Sequence, residues 1–229
     1  MTIFQDFISL IYPRICYACG NSLYKYENCL CTYCVYHLPK TDFHLDKDNS
    51  VSKLFWGKVN IFSAAAYYYY NKGTKIQHLV HQLKYKGYKE IGIYIGNIYG
   101  KELKKSVLFE TVDIVIPVPL HPKKKLKRGF NQSEMFAAGL AESMNILLDV
   151  KTLQRTYASE TQTRKSRFAR WENVKEIFAL KDFETLQNKH ILLVDDVITT
   201  GSTIEACAQI FSDIPGIKIS IAAMACTMH

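Results

Sequence analysis

Asp195 and Asp196 are the residues of this 229-residue chain with the clearest chemical potential. They follow four apolar residues, Ile191 to Val194, and lead through Val197 and Ile198 into Thr199-Thr200-Gly201-Ser202-Thr203. Adjacent carboxylates repel each other, so a pair of them needs a use. Two vicinal ribose hydroxyls, which require acceptors, supply one. The apolar run predicts a central strand, and open parallel sheets bind ligands at the C-terminal ends of their strands. The Thr/Gly/Ser run then offers hydroxyls and successive backbone N–H groups at a helix start, a cradle suited to a sugar 5′-phosphate. Gly201 lets the backbone approach the ligand closely. The plain alternative is a strand–turn–helix capped by Ser202 or Thr203, which would not require the two acids.

A second constellation is made of thiols. Cys16-x-x-Cys19 and Cys31-x-x-Cys34 are two knuckles separated by 11 residues. Two such pairs complete a tetrahedral four-thiolate Zn²⁺ site, and four protein ligands leave no open position, so the metal is structural. Cys29 could compete with Cys31, but only Cys31 gives the second C-x-x-C; the bland alternative is a group of buried free cysteines. Cys207 and Cys226 sit in apolar context and read as core. Seven cysteines, an odd number, without a signal-peptide pattern at the N-terminus imply a reducing cytosol and not a disulfide framework.

The third feature is cationic. Pro117-Val118-Pro119-Leu120-His121-Pro122 closes an apolar run, and Lys123, Lys124, Lys125, Lys127 and Arg128 follow. Such a cluster is a solvated face in most proteins; at the C-terminal end of a strand it serves a polyanion. The formal charge of +8 agrees with anionic partners without choosing among them. Tyr67 to Tyr70, Phe130 and Trp171 could stack on bases. The tyrosine run reads as strand and core, and Trp171, beside Arg170, is the better stacking candidate.

The string 191–203 resembles the signature of the type I phosphoribosyltransferases. That resemblance implies that Asp195 and Asp196 hold the ribose, Thr199, Thr200, Gly201, Ser202 and Thr203 hold the 5′-phosphate, and the Pro119-Leu120 loop with Lys127 or Arg128 meets pyrophosphate. The donor is then phosphoribosyl pyrophosphate with Mg²⁺. Arg128-Gly129-Phe130-Asn131-Gln132 and Leu83-Lys84-Tyr85-Lys86-Gly87 narrow the match to the ComF family. Arg155, Gln162, Arg170, Asn173 and Phe178 fall on that family's spaced pattern, and the cysteine module belongs to it too. The family resemblance implies a cytoplasmic protein of natural competence that handles incoming single-stranded DNA, with a competence helicase as a partner. Lys84, Arg155, Gln162 and Arg170 become anion contacts. Two functions are therefore expected, a phosphoribosyl-transferring enzyme or a DNA-handling module with a retained binding loop. A sensor of phosphoribosyl pyrophosphate is a third.

These groups need a frame. Apolar residues make up 48% of the chain, enough for a core, and no run of about 18 apolar residues predicts a membrane span. Residues 1–13 read as an amphipathic helix within a module of residues 1–40. Residues 41–58 read as a polar, irregular linker, and 59–229 as the phosphoribosyltransferase-like domain. Within that domain strands are expected over 59–70, 112–116, 146–150, 191–194 and 217–224. Helices are expected over 74–87, 90–105, 131–145 and 203–213, with 123–128 a basic loop and 151–175 mostly loop. Strands alternating with helices predict an α/β fold, a parallel sheet flanked by helices.

Overall fold

The computed structural model describes residues 13–156 and 177–227. The N-terminal helix expected before Pro13, and Gln162, Arg170, Trp171 and Asn173, lie outside the described residues.

From the N-terminus, the elements are α1 (Thr32–His37), a 3-10 turn (Phe43–Leu45), α2 (Ser50–Lys53), β1 (Ser63–Tyr69), α3 (Lys75–Tyr85) and α4 (Lys89–Leu103). There follow β2 (Ile114–Pro117), α5 (Pro122–Arg128), α6 (Gln132–Met144), β3 (Leu147–Leu148), β4 (Leu153–Arg155) and β5 (Phe178–Leu180). A second 3-10 turn (Phe183–Leu186), β6 (His190–Ile198), α7 (Ser202–Phe211) and β7 (Lys218–Cys226) complete the chain.

The main sheet is parallel throughout, in the order β1-β7-β6-β2-β3. A strand buried on both faces must be apolar at every position, and alternate positions feed opposite cores. Val115, Leu192, Val194, Ala222 and Met224 enter one cluster with α3, α4, α6 and the cysteine module. Ile116, Ile191, Leu193, Ile221 and Ala223 enter the other with α2 and α7. A parallel sheet flanked by helices is therefore the fold. β4 and β5 form a separate antiparallel pair.

α4 and α6 approach through glycine. A methyl on Gly139 would collide with the carbonyl oxygen of Ile93, and one on Gly96 with that of Phe136. Gly92 and Gly96, which weaken a helix on propensity, are needed for this contact.

Four local expectations need correction. Residues 41–58 are not an irregular linker. Asn49 caps α2, accepting from Val51 and Ser52 N–H and donating to the carbonyls of Phe43, Asp46 and Ala64, while Phe55 is fully buried. Thr41, Asn49 and Ser52, among the polar residues that suggested a linker, are satisfied internally, each donating to a carbonyl of β1. Residues 123–128 form a helix, with Pro122 at its first turn and Gly129 ending it at φ 79°. A run of lysines has good helix propensity, which its charge obscured. β6 continues through Asp195 and Asp196, because Val197 and Ile198 pair with Ala225 and Cys226. Only Leu147 and Leu148 of 146–150 pair, at the sheet's edge.

Candidate phosphate and metal sites

β6 carries Asp195 and Asp196 to the end of the sheet where β2 also stops, at Pro117. α3 brings Lys84 there from its last turn, and its ammonium lies 3.0 Å from the Asp196 carboxylate. α6 begins at the same place. Asn131 caps it, accepting from Ser133 N–H at 3.2 Å and donating to the Val118 carbonyl at 2.9 Å, which fixes the helix start to the end of β2. Ser133 Oγ then donates to Asp195 Oδ1 at 2.8 Å, and the Asp196 N–H donates to the same oxygen at 2.8 Å. The two acids are held apart by different partners, which limits the repulsion a free pair would suffer. Burial, and then Asp196, push Asp195 up to about 7, against the pull of Ser133, the Asp196 N–H and Lys84.

These residues line a cavity of about 460 Å³ together with Pro119, Leu120, Lys124, Arg128, Arg155, Thr199 and Thr203. Arg128 is pre-oriented, donating to Gln132 Oε1 at 2.6 Å and stacking on the Tyr85 ring at 5.3 Å. A smaller adjoining cup is bounded by Thr199, Thr200, Gly201, Ser202, Thr203 and Asp195. Gly201 holds φ 77° there, and a Cβ would press on the Phe55 ring at 3.1 Å. Only glycine suits both demands. Gly201 is also the N-cap of α7, and no side chain caps that helix. Capping by Ser202 or Thr203, the plain alternative, is not seen among the described residues; Thr200 Oγ1 accepts weakly from Ser202 N–H at 3.5 Å.

Of the residues expected at the site, Asp195, Asp196, the 199–203 loop, Pro119, Leu120, Lys84, Arg128 and Arg155 converge here. Lys127 does not line the cavity, whereas Lys124, one helical turn earlier, does. Sequence reading missed Ser133 and the role of Asn131. The cap signature Asn131-Gln132-Ser133-Glu134 marks a helix start, but nothing local says that Ser133 faces an acid 62 residues away. Phe130 is buried, with Lys89 over its ring at 5.3 Å, and is not presented for stacking. Tyr67 and Tyr68 are core, as are Cys207 and Cys226.

At the other end of the chain Cys16, Cys19, Cys31 and Cys34 converge, with all four sulfurs within 4.8 Å of one another. Cys19 and Cys31 sulfurs are 3.7 Å apart. Two sulfurs bound tetrahedrally at about 2.3 Å from one zinc would be about 3.8 Å apart, so the donor set fits that ion. Burial raises the Cys16 thiol, but N–H groups of Cys31, Cys19 and Ala18 outweigh it and lower the thiol to about 7. Glu27 braces the loop between the knuckles, accepting from Tyr24 and Thr32 N–H. Cys29 is buried outside the cluster, its thiol pushed up to about 12 by burial and by Glu90.

Residues 131–225 match the family described as phosphoribosyl transferase domain. The chain is 35% identical over 135 residues to the DNA utilization protein YhgH of Salmonella typhimurium, covering 58% of this chain and 59% of that one. Against the protein of the same name from Shigella flexneri it is 30% identical over 200 residues, covering 86% of this chain and 83% of that one. Against the competence protein ComFC of Streptococcus pneumoniae it is 29% identical over 160 residues, covering 69% and 66%. The chain belongs to the ComF family. Within this ComF-family chain the family match begins at Asn131, the residue that caps α6, and so takes in Ser133, both acids and the whole 199–203 loop. The cysteine module, Lys84 and Arg128 precede it. Among the described residues no helix is long and apolar enough to cross a membrane.

Proposed function

We propose that this protein binds phosphoribosyl pyrophosphate with Mg²⁺ in the cavity at the end of β6 and serves DNA utilization in the cytosol. One observation carries the reading. Two adjacent carboxylates, each held by its own partner, share a cavity with Thr199 and Thr203 of the loop that opens α7, and Lys84, Lys124, Arg128 and Arg155 line it too. In this reading Asp195 and Asp196 accept from the ribose hydroxyls and the 199–203 loop donates to the 5′-phosphate. Arg128, with Lys124 or Lys127, meets the pyrophosphate. Mg²⁺ arriving with the substrate would neutralise part of the pyrophosphate charge. Preorganised N–H groups and cations then favour departure of pyrophosphate from C1 as an acceptor's nucleophile enters. The names of the relatives, DNA utilization protein and competence protein, support the DNA role, and a single-stranded DNA partner is what the family resemblance adds to it.

Calorimetric titration of the zinc-loaded protein with phosphoribosyl pyrophosphate and Mg²⁺ tests the site, beside the Asp195→Asn/Asp196→Asn double variant. Binding lost in the variant supports the reading, and no binding by the folded parent overturns it. A second reading, binding without turnover, draws on one fact. The only carboxylates among the described cavity-lining residues are the two acids themselves, both engaged, so no separate base stands by. Absence of pyrophosphate release with every acceptor offered would favour it.

A further inference from the structure

The end of the sheet opposite the phosphate loop carries a second constellation. The turn after α2 buries Phe55 and turns the next residue, Trp56, outward, leaving its indole 58% exposed. A hydrogen bond closes that turn: Val59 N–H donates to the Phe55 carbonyl at 3.2 Å, and Gly57 sits at φ 70°. Phe62, half-buried at the start of β1, stands edge-on to His190, ring centroids 5.5 Å apart. Between Trp56 and Phe62 lies a cavity of about 510 Å³ also lined by Lys47, Lys58 and Asn60.

Cations gather on these rings. Lys53 lies 5.8 Å from the Trp56 centroid, and Lys47 and Lys218 lie 5.3 and 3.4 Å from that of Phe62. With Asp48 at the rim, Glu205 3.6 Å from Lys58 and Asp113 accepting from His190 N–H at 2.8 Å on the floor, four ammonium groups meet three carboxylates. Two lysines on one phenyl ring repel each other, and an anion between them would relieve the repulsion. The floor is fixed. Lys218 donates to Thr111 Oγ1, whose hydroxyl meets His190 Nδ1 at 2.8 Å; His190 Nε2 meets Ser220 Oγ at 2.7 Å, and that oxygen meets Ser63 Oγ at 2.8 Å.

An exposed indole with one ammonium group at its ring and further ammonium groups across the same cavity is an arrangement that can stack a base and hold its phosphates. We infer that this face, whose lining shares no residue with the sugar-phosphate cavity, binds single-stranded nucleic acid, with Trp56 stacking a base and Lys47, Lys53 and Lys218 meeting the phosphates. The floor at His190 lies five residues before Asp195 on β6, about 17 Å along an extended strand, whereas the Trp56 turn adjoins the back of the phosphate loop, Phe55 lying under Gly201 and Lys58 lying 3.6 Å from Glu205. The inference gives the DNA role proposed above a location and does not depend on the phosphoribosyl pyrophosphate reading.

The chain has two tryptophans, so Trp171→Phe leaves Trp56 as the only indole emitter. In that background an oligothymidylate is expected to quench Trp56 emission. Trp56→Ala, on an exposed residue, is expected to weaken oligonucleotide affinity about tenfold, as loss of one stacked base does. Lys47→Ala/Lys53→Ala is expected to flatten the salt dependence, the slope of log affinity against log salt falling by about 0.7 for each phosphate no longer neutralised. Unchanged melting and unchanged titration with phosphoribosyl pyrophosphate establish that these variants are folded and that the first site is intact. Unquenched emission, or unaltered affinity of Trp56→Ala, overturns the inference. Thymidine monophosphate quenching at the same concentration as the oligomer also overturns it, in favour of a free-nucleotide site.

Discussion

Asp195 sits where burial and a neighbouring carboxylate oppose its ionisation, and both act in the ligand-free protein. An acid whose folded pKa is raised contributes its full stabilisation below the unfolded value and loses it as pH climbs through the folded one. Here that window runs from the ordinary carboxylate range to about 7. The stability of the parent should therefore fall across this window. Asp195→Asn, which keeps the shape without the charge, should flatten that slope and be more stable at pH 8. The gain should be on the order of 1 kcal/mol, or about 2–4 °C for a chain of this size, read by thermal melts from pH 4 to 8. The same substitution should weaken phosphoribosyl pyrophosphate binding, so stability and binding move in opposite directions at this residue. Ser133→Ala tests the support. A hydrogen bond to a charged acceptor is worth about 1.5–3 kcal/mol of folding stability, so its loss should lower the melting point by several degrees and, by freeing Asp195, weaken binding. Calorimetry on Ser133→Ala and the parent compares the two.

The packing of α4 on α6 reverses a rule that holds for isolated helices. On an exposed helix Gly→Ala stabilises by about 1 kcal/mol. At Gly139 and Gly96 the added methyl meets the backbone of the facing helix, which cannot swing aside as a side chain can. Each substitution should instead destabilise by about 1–3 kcal/mol, measured as a lower denaturation midpoint at unchanged slope. The sequence discloses what is local. Thr74 caps α3 as its side chain and position imply, accepting from Gln77 N–H, and the continuous apolar runs at 114–116 and 191–194 are the buried strands they resemble. It does not disclose which helix will face Gly96, or that Asn49 will satisfy three carbonyls from two segments and so order residues 41–58. The acids, the phosphate loop and the thiols were legible because each motif is contiguous. Ser133 was not, because its partner lies across the sheet. Phe55 underlies Gly201 for the same kind of reason, a contact between segments about 146 residues apart that no window of sequence contains.

At the scale of the whole molecule, the cysteine module and the α/β sheet share one apolar cluster. Cys16, Leu30, Cys31 and Leu38 pack with Tyr67, Leu79, Ile91 and Ile95 without a break. Gln82 Nε2 donates to the Tyr17 carbonyl at 2.7 Å, Tyr17 OH donates to Glu90 at 2.6 Å, and Tyr69 N–H donates to the Pro39 carbonyl at 2.9 Å. The last contact, with the bridge between Lys40 and Tyr68, covers the open edge of β1. Metal loss should therefore reach beyond the knuckles, since a module of this size has little core of its own to hold it in place. Chelation should release one zinc per chain and lower the melting temperature by several degrees. It should also expose four thiols to a thiol reagent: Cys16, Cys19, Cys31 and Cys34. Cys207 and Cys226, buried in the core of the sheet, and Cys29, buried outside the four-sulfur cluster, should stay unreactive until the chain unfolds. A count of four fast and three slow thiols after chelation identifies the ligand set. Five fast thiols would place Cys29 within the part of the module that metal loss opens, and four fast thiols before chelation would mean that the sulfurs hold no metal.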